Sequence, residues 1–346
     1  MVPETIKIEK DGTIHIVLSI WDLADTYNRH ASVTMVSILE NTKSSVHFHL
    51  LYDKQRSEIN KELSKINYNK YLELKEKYNT KIDFHNVSVP ESVKNLPFVK
   101  VYTEGALLRF FIPDLFQEYD KILYLDTDIV VRTDIAALWD IDISEKSVAA
   151  TRMPLPRSYQ RKYQKHNINP SNYFNSGVIL FNLEYIRQTS NIRATDFFKH
   201  LLSHSDFEWP DQDVLNLCFN NSILPLPEKY NFGKQLDRKS EYNDMIIHFN
   251  GRVKPWKAYL GGADRYYWLY LLKSPWGKNR EEIMEYILEA PNMEISLSRL
   301  PLWLSSLWPD KLLPHILELS LKIPCRVIYY DIKYIVLYRI LGRNPI

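Results

Sequence analysis

The sequence predicts an α/β protein with a mostly parallel sheet, and two observations carry that prediction. Short apolar runs alternate with helix-length amphipathic stretches through most of the chain. Of the 346 residues, 45% are hydrophobic, enough to cover both faces of such a sheet with helices. Neither internal repeats nor a low-complexity linker interrupts the pattern.

In chain order, Ile14–Ile20 (IHIVLSI), Val46–Tyr52 (VHFHLLY), Lys81–Val87 (KIDFHNV) and Lys121–Leu125 (KILYL) read as strands, as do Ser147–Thr151 (SVAAT), Val178–Asn182 (VILFN) and Ile246–Phe249 (IIHF). Between them Arg29–Glu40, Ser57–Tyr78, Gly105–Leu115 and Asp211–Phe219 read as helices. Ligands of such sheets bind at the carboxyl ends of strands, so residues just past a strand are the first candidates for chemistry.

Lys and Arg (44) nearly balance Asp and Glu (42), and the net charge of +2 argues against a nucleic-acid coat protein. Two cysteines, Cys218 and Cys325, make no disulfide framework and point to a reducing compartment. Met1–Gly12 lacks the apolar core of a signal peptide, and no 18-residue window is free of charge; a cytoplasmic protein without a transmembrane helix is the expectation. Residues 1–284 form the expected catalytic domain, and 285–346 a helical extension rich in proline, aromatics and basic residues. From 290 on, seven Lys/Arg stand against four acids. At about 1 kcal/mol per basic residue, an excess of three supplies roughly 3 kcal/mol toward an anionic membrane surface, with buried aromatics adding the rest. The competing expectation is a helical cap on the catalytic domain.

Asp-x-Asp occurs three times, where about one instance is expected by chance. Asp140/Asp142 lie in a polar connection and read as solvated carboxylates. Asp126 and Asp128 follow KILYL directly, where the chain is extended and i, i+2 side chains share one side. Paired carboxylates there make half of a site for a hard cation. The nearest basic side chains in sequence are Lys121 and Arg132, so nothing local neutralises the pair. Such an ion would neutralise a departing diphosphate and stabilise charge on the breaking bond. His248, in IIHFNGRVKPW, is the candidate third ligand, and an imidazole shifts preference from Mg²⁺ toward Mn²⁺. After it, Gly251 permits close backbone approach and Lys254 offers an ammonium to a phosphate. His47 and His49 share one side of a strand; a second metal is unnecessary, so they read as hydrogen-bonded strand histidines.

Over roughly 14–260 the chain resembles the family 8 glycosyltransferases, through YLDTDIVV (Tyr124–Val131), FNSGVILFN (Phe174–Asn182), DQDVLN (Asp211–Asn216) and HFNGRVKPW (His248–Trp256), in that order. The resemblance implies a GT-A fold, a Rossmann-like mixed sheet flanked by helices. It also implies Mn²⁺-dependent transfer, with retention, of glucose or galactose from a UDP-hexose donor to a carbohydrate-containing acceptor. Asp126, Asp128 and His248 then become metal ligands, Lys254 and Gly251 diphosphate contacts, and Asn175 a donor-sugar contact. Asp211 and Gln212 fall under the reacting face of the sugar, as catalytic residues. An amide is a poor nucleophile, which favours positioning or electrostatics for Gln212; for Asp211 a helix N-cap competes. Arg109, in GALLRFFIPDLF, corresponds to an arginine that reaches the donor. Ser19, Ile20 and Thr127 are assigned to the donor as well. In SIWDLADTYNRH, Tyr27 would stack on uracil and Asp22 accept from its edge, with Asp25 the competing acid. Galactosyl members carry an acid after the SVAAT-like strand; here Thr151, Arg152 and Met153 stand instead, so galactose does not follow.

Two other classes compete. Asp126-Thr-Asp128-Ile-Val-Val also fits the nucleophile motif of haloacid-dehalogenase-type phosphatases, but there it normally ends the first core strand, and several strands precede it here. A degenerate transferase acting as a partner subunit or glycan binder could have lost a ligand freely, whereas all three are present.

Overall fold

The computed structural model describes residues 12–21, 27–96, 104–204, 206–233, 242–251, 254–256 and 263–278. Ten strands are present among them: β1 (Ile14–Ile20), β2 (Val46–Tyr52), β3 (Lys81–Asn86), β4 (Lys121–Leu125), β5 (Ile129–Val131), β6 (Val148–Arg152), β7 (Phe174–Asn182), β8 (Ile223–Leu226), β9 (Phe232–Gly233) and β10 (Ile246–His248). Seven form one sheet in the order β3-β2-β1-β4-β7-β6-β8, and β5, β10 and β9 form a small second sheet. The large sheet is mixed: β7 runs antiparallel to both β4 and β6, while its other neighbouring pairs are parallel.

Central strands read as near-continuous apolar runs because both faces are covered. In β1, Ile14, Ile16, Leu18 and Ile20 pack toward the helix Tyr27–Leu39, whereas Val17 joins Leu51, Tyr124 and Phe116 on the other face. The helix Lys61–Tyr78 starts where Asn60 accepts the Leu63 N–H (3.1 Å) and ends at Asn79, in the left-handed region (φ 47°). It buries one stripe, Asn67, Tyr71 and Leu74, at i, i+4 and i+7. Trp276 packs edge-on against Tyr71 and donates its indole N–H to Asn67 Oδ1 (2.9 Å).

The structure corrects one expected helix. Glu104–Phe111 is a 3₁₀-helix, and only Ile112–Leu115 is α-helical. Pro113 has no N–H to return to the Arg109 carbonyl, and Arg109 Nε takes the Ala106 carbonyl (2.8 Å), which holds the segment in the tighter winding. β7 also begins four residues before the expected Val178, at Phe174. The predicted extension 285–346, Cys325 and the acids Asp22 and Asp25 lie outside the described residues. Among the described residues, no helix is long and apolar enough to cross a membrane.

Candidate active site at the carboxyl edge of the sheet

β1 and β4 are parallel, with Leu18 level with Leu125, so Ser19, Ile20 and Asp126 emerge at one edge of the sheet. Asp126 leaves β4 with its N–H on the Gly177 carbonyl (2.8 Å). Thr127 follows, its carbonyl accepting from the Thr34 hydroxyl (3.2 Å), and Thr34 also reaches the Ile129 carbonyl (2.8 Å). The helix Tyr27–Leu39 thus fixes the Asp126–Ile129 turn. β10 pairs with β5 so that His248 sits opposite Ile129, which brings the histidine back over that turn.

Asp126, Asp128 and His248 converge, each with one ligand atom within 4.8 Å of the others. His248 Nε2 faces Asp128 Oδ1 at 3.2 Å and Asp126 Oδ2 at 3.7 Å. Three features fit a divalent cation. Asp128 Oδ1 is buried without a hydrogen-bond donor among the described residues. A Cβ on Gly177 would stand 2.2 Å from His248 Cε1 and 2.9 Å from Asp126 Oδ2, so the strand must be bare there. Finally, two carboxylates with one imidazole make a donor set suited to Mn²⁺. His248 Nδ1 meets Asn231 Oδ1 at 2.9 Å; with the proton on Nδ1 it donates there, and the Nε2 lone pair points at the carboxylates.

Sequence proximity misplaces the neutralising charges. Lys121 and Arg132 are turned away, toward the carbonyls of Trp139 and Tyr242. Arg109 and Lys254 do the work instead. Lys254 Nζ pairs with Asp128 Oδ2 and donates to the Phe249 carbonyl (2.7 Å). Burial opposes the Asp128 charge, but the Lys254 ammonium overrules it and holds the carboxyl well below its usual range. Arg109 is 4% exposed and gives its fork to protein acceptors: Ala106 O, Ser176 O (2.7 Å) and Asp126 Oδ1 (2.9 Å). Tyr124 OH donates to the same Asp126 oxygen (2.7 Å). Despite its burial, the guanidinium is held firmly protonated by Asp126 and its acidic neighbours.

Asp211 and Gln212 lie beside this cluster on the helix Pro210–Phe219. Asp211 is not the cap of that helix; its carboxylate faces Arg109 Nη2 (3.6 Å) and the Ser176 hydroxyl (3.5 Å), and burial raises its pKa. Asp213 takes the terminal N–H groups of Glu208 (2.9 Å) and Trp209 (3.0 Å). Gln212 Oε1 accepts from Asn175 Nδ2 (3.0 Å) and Ser176 N–H (3.1 Å), and its Nε2 donates to Tyr173 OH (3.0 Å). Asn175 Oδ1 accepts from Asn231 Nδ2 (2.8 Å) and the Gly177 N–H (3.0 Å). One chain of side-chain amides therefore joins Gln212 to His248. Burial lifts Asp213, beneath Tyr173 and Tyr163, to a pKa of about 6.

Of the donor expectations, Gly251 adopts a positive φ (84°), which a side chain would strain. Tyr27 opens its helix and meets His30 edge-on (5.9 Å), and His30 stacks on Trp256 (3.7 Å, 19°). Gly177, Ser176, Asn231 and Tyr173 were not anticipated. The glycine inside FNSGVILFN was the available signal for Gly177.

The Glycosyl transferase family 8 profile matches residues 19–259. The chain belongs to that family. It is 30% identical over 294 residues to a lipopolysaccharide 1,2-glucosyltransferase of Escherichia coli, covering 78% of this chain and 81% of the relative. The solved structure of the galactosyltransferase LgtC with donor and acceptor sugar analogs superposes with a TM-score of 0.62 at 20% identity, over 75% of this chain and 96% of LgtC. The bifunctional glycosyltransferase WbbM gives 0.59 at 20% identity, over 81% of this chain but 53% of WbbM. At these identities the structures speak for the fold, which is GT-A. This family 8 chain is a glycosyltransferase, with a sugar donor and a carbohydrate acceptor as its substrates.

Proposed function

We propose that the enzyme transfers glucose, with retention of anomeric configuration, from UDP-glucose to a carbohydrate acceptor of a bacterial surface glycan, and that Mn²⁺ serves the reaction. One observation carries this reading: Asp126, Asp128 and His248 converge around a side-chain-free strand at Gly177, immediately beside Asp211 and Gln212. A haloacid-dehalogenase mechanism has no use for that histidine, and a degenerate binder no need of all three ligands.

A divalent ion held by Asp126, Asp128 and His248 supplies the charge that neutralises the leaving diphosphate. Lys254 exchanges its Asp128 contact for a phosphate oxygen when the donor arrives, and Gly251 lets the backbone come close. Arg109 holds Asp126 in place rather than touching the donor. Asn175 and Asp211 orient the sugar. The Gln212 amide oxygen already accepts two hydrogen bonds, so it shapes the field beneath the anomeric carbon rather than attacking it. Support for glucose over galactose comes from the relative's name and from Thr151, Arg152 and Met153, which stand at and just past the end of β6 where galactosyl members carry an acid. The test is a panel of UDP- and GDP-sugars with Mn²⁺ or EDTA, reading released nucleoside diphosphate. Mn²⁺-dependent release from UDP-glucose is expected; preferential release from UDP-galactose would overturn the sugar, and release from GDP-sugars alone the nucleotide.

The catalytic domain then spans 1–284, and the segment 285–346 holds the enzyme on an anionic membrane surface at the cytoplasmic face, where nucleotide sugars are available. Co-sedimentation with anionic but not neutral liposomes is expected, and recovery in the supernatant with both would refute it.

A further inference from the structure

Running obliquely across one face of the large sheet, four histidines from three adjacent strands meet: His15 at the start of β1, His47 and His49 on β2, and His85 near the end of β3. We propose that His15, His47 and His49 bind a second metal ion, a borderline transition ion of the Zn²⁺ class, which staples the amino-terminal strands together. Their ligand atoms lie within 4.8 Å of one another. His15 Nδ1 and His49 Nε2 stand 3.2 Å apart. Two nitrogens on a tetrahedral Zn²⁺, at about 2.0–2.1 Å each, are about 3.3–3.4 Å apart, so little movement is needed. The ion takes the place of the single proton that otherwise joins the two rings.

The surroundings supply the outer partners such a site requires. Ligating imidazoles are oriented by an acceptor on the other ring nitrogen. His47 Nε2 has the Asp83 carboxylate at 2.8 Å, and His49 Nδ1 has His85 Nε2 at 3.1 Å. Aromatic rings close the inner side: Phe116 meets His49 edge-on (4.9 Å) and Tyr119 lies against His15 (4.3 Å). His49 is 1% exposed, whereas His47 and Asp83 reach the surface, the side from which an ion and a water as fourth ligand would enter. An all-nitrogen set disfavours Mn²⁺, Mg²⁺ and Ca²⁺ and favours Zn²⁺, Co²⁺, Ni²⁺ or Cu²⁺. Four residues along the strand separate His15 from Ser19, about 13 Å at 3.3 Å per residue, so the ion does not share the active-site ligands.

The test titrates the full-length protein, freed of metal by chelation, with Co²⁺ and then Zn²⁺. Intense visible Co²⁺ bands are expected that persist in Asp128→Asn and are displaced by Zn²⁺. In His15→Gln/His47→Gln they should vanish, with Zn²⁺ affinity at this site falling at least 100-fold and transferase activity retained. Should that double variant fail to fold, Asp83→Asn, altering a largely exposed carboxylate, is expected to weaken Zn²⁺ about tenfold. Co²⁺ bands that disappear with Asp128→Asn would overturn the proposal, as would unchanged Zn²⁺ affinity in the histidine or Asp83 variants. Thermal melting gives a separate readout: the Tm should rise with free Zn²⁺ in the wild type and in Asp128→Asn, but not in the histidine variant.

Discussion

At the carboxyl edge of the sheet, Asp126, Asp128 and His248 are gripped by charged and amide neighbours, whereas at the other end of β1 His15, His47 and His49 are held chiefly by one another. The first cluster confronts opposite charges: Arg109 sits on Asp126 and Lys254 on Asp128. The second is built from imidazoles, with a single carboxylate, Asp83, at its rim. Burial, with His47, His15 and His85 nearby, drives the His49 pKa down to about 2. Charged ligands beside a lysine suit a diphosphate that comes and goes; imidazoles under aromatic rings suit an ion that stays. Histidine thus plays unlike parts in one fold, set by what surrounds it.

Breaking the carboxyl-edge cluster at its most charged point should have the largest effect. Asp128→Asn is expected to lower kcat by about 10³-fold or more with the Tm little changed. Activity near wild type would remove Asp128 from the chemistry.

The buried acid beneath the amide chain gives the next largest effect, on stability. The folded pKa of Asp213, about 6, exceeds its ordinary 3.8, so the native state binds the extra proton. The stability this contributes is present at low pH and is lost as pH rises from about 4 to 6, by about 3 kcal/mol for a two-unit shift. Denaturant unfolding across that window should show the decline in wild type and a flatter profile in Asp213→Asn. Parallel profiles would place the raised pKa elsewhere.

Gly177→Ala sharpens the comparison, because no such bare strand exists beneath the imidazole trio. A methyl 2.2 Å from His248 Cε1 must push the ring aside, and kcat should fall about 10²-fold while the Mn²⁺ requirement rises. The smallest expected effect belongs to Asn231→Ala, which removes the His248 Nδ1 partner and should weaken Mn²⁺ activation about tenfold. Mn²⁺ titrations of activity check both. If Asn231→Ala left the Mn²⁺ requirement unchanged, the amide chain would have no hold on His248.

These contrasts also explain what the sequence revealed. β1, β2 and β4 were legible to the residue because each is a run of buried side chains ended by polar ones. Asp126 and Asp128 were legible because both leave the same extended segment, so one strand places the pair. Arg109 and Lys254 were hidden as partners: they are 17 and 126 positions away along the chain, and only the packing of the 3₁₀ segment and the β10 loop delivers them. Gly177 and Asn231 act across β4, β7 and β10, and single-strand patterns carry no such register. His47 and His49 showed only their own alternation; His15 and His85 join them through the β1–β2–β3 register. The direction of β7, predicted as a strand over Val178–Asn182, was hidden for the same reason, since its apolar run looks alike in either direction.

The most direct measurement is UDP binding by calorimetry, with Mn²⁺ and with EDTA, in wild type and Asp128→Asn. Mn²⁺ should tighten UDP binding at least tenfold in the wild type, and the gain should disappear in Asp128→Asn. Equal affinity with Mn²⁺ and EDTA, or a gain that survives in Asp128→Asn, would contradict a metal-bridged diphosphate at Asp126, Asp128 and His248.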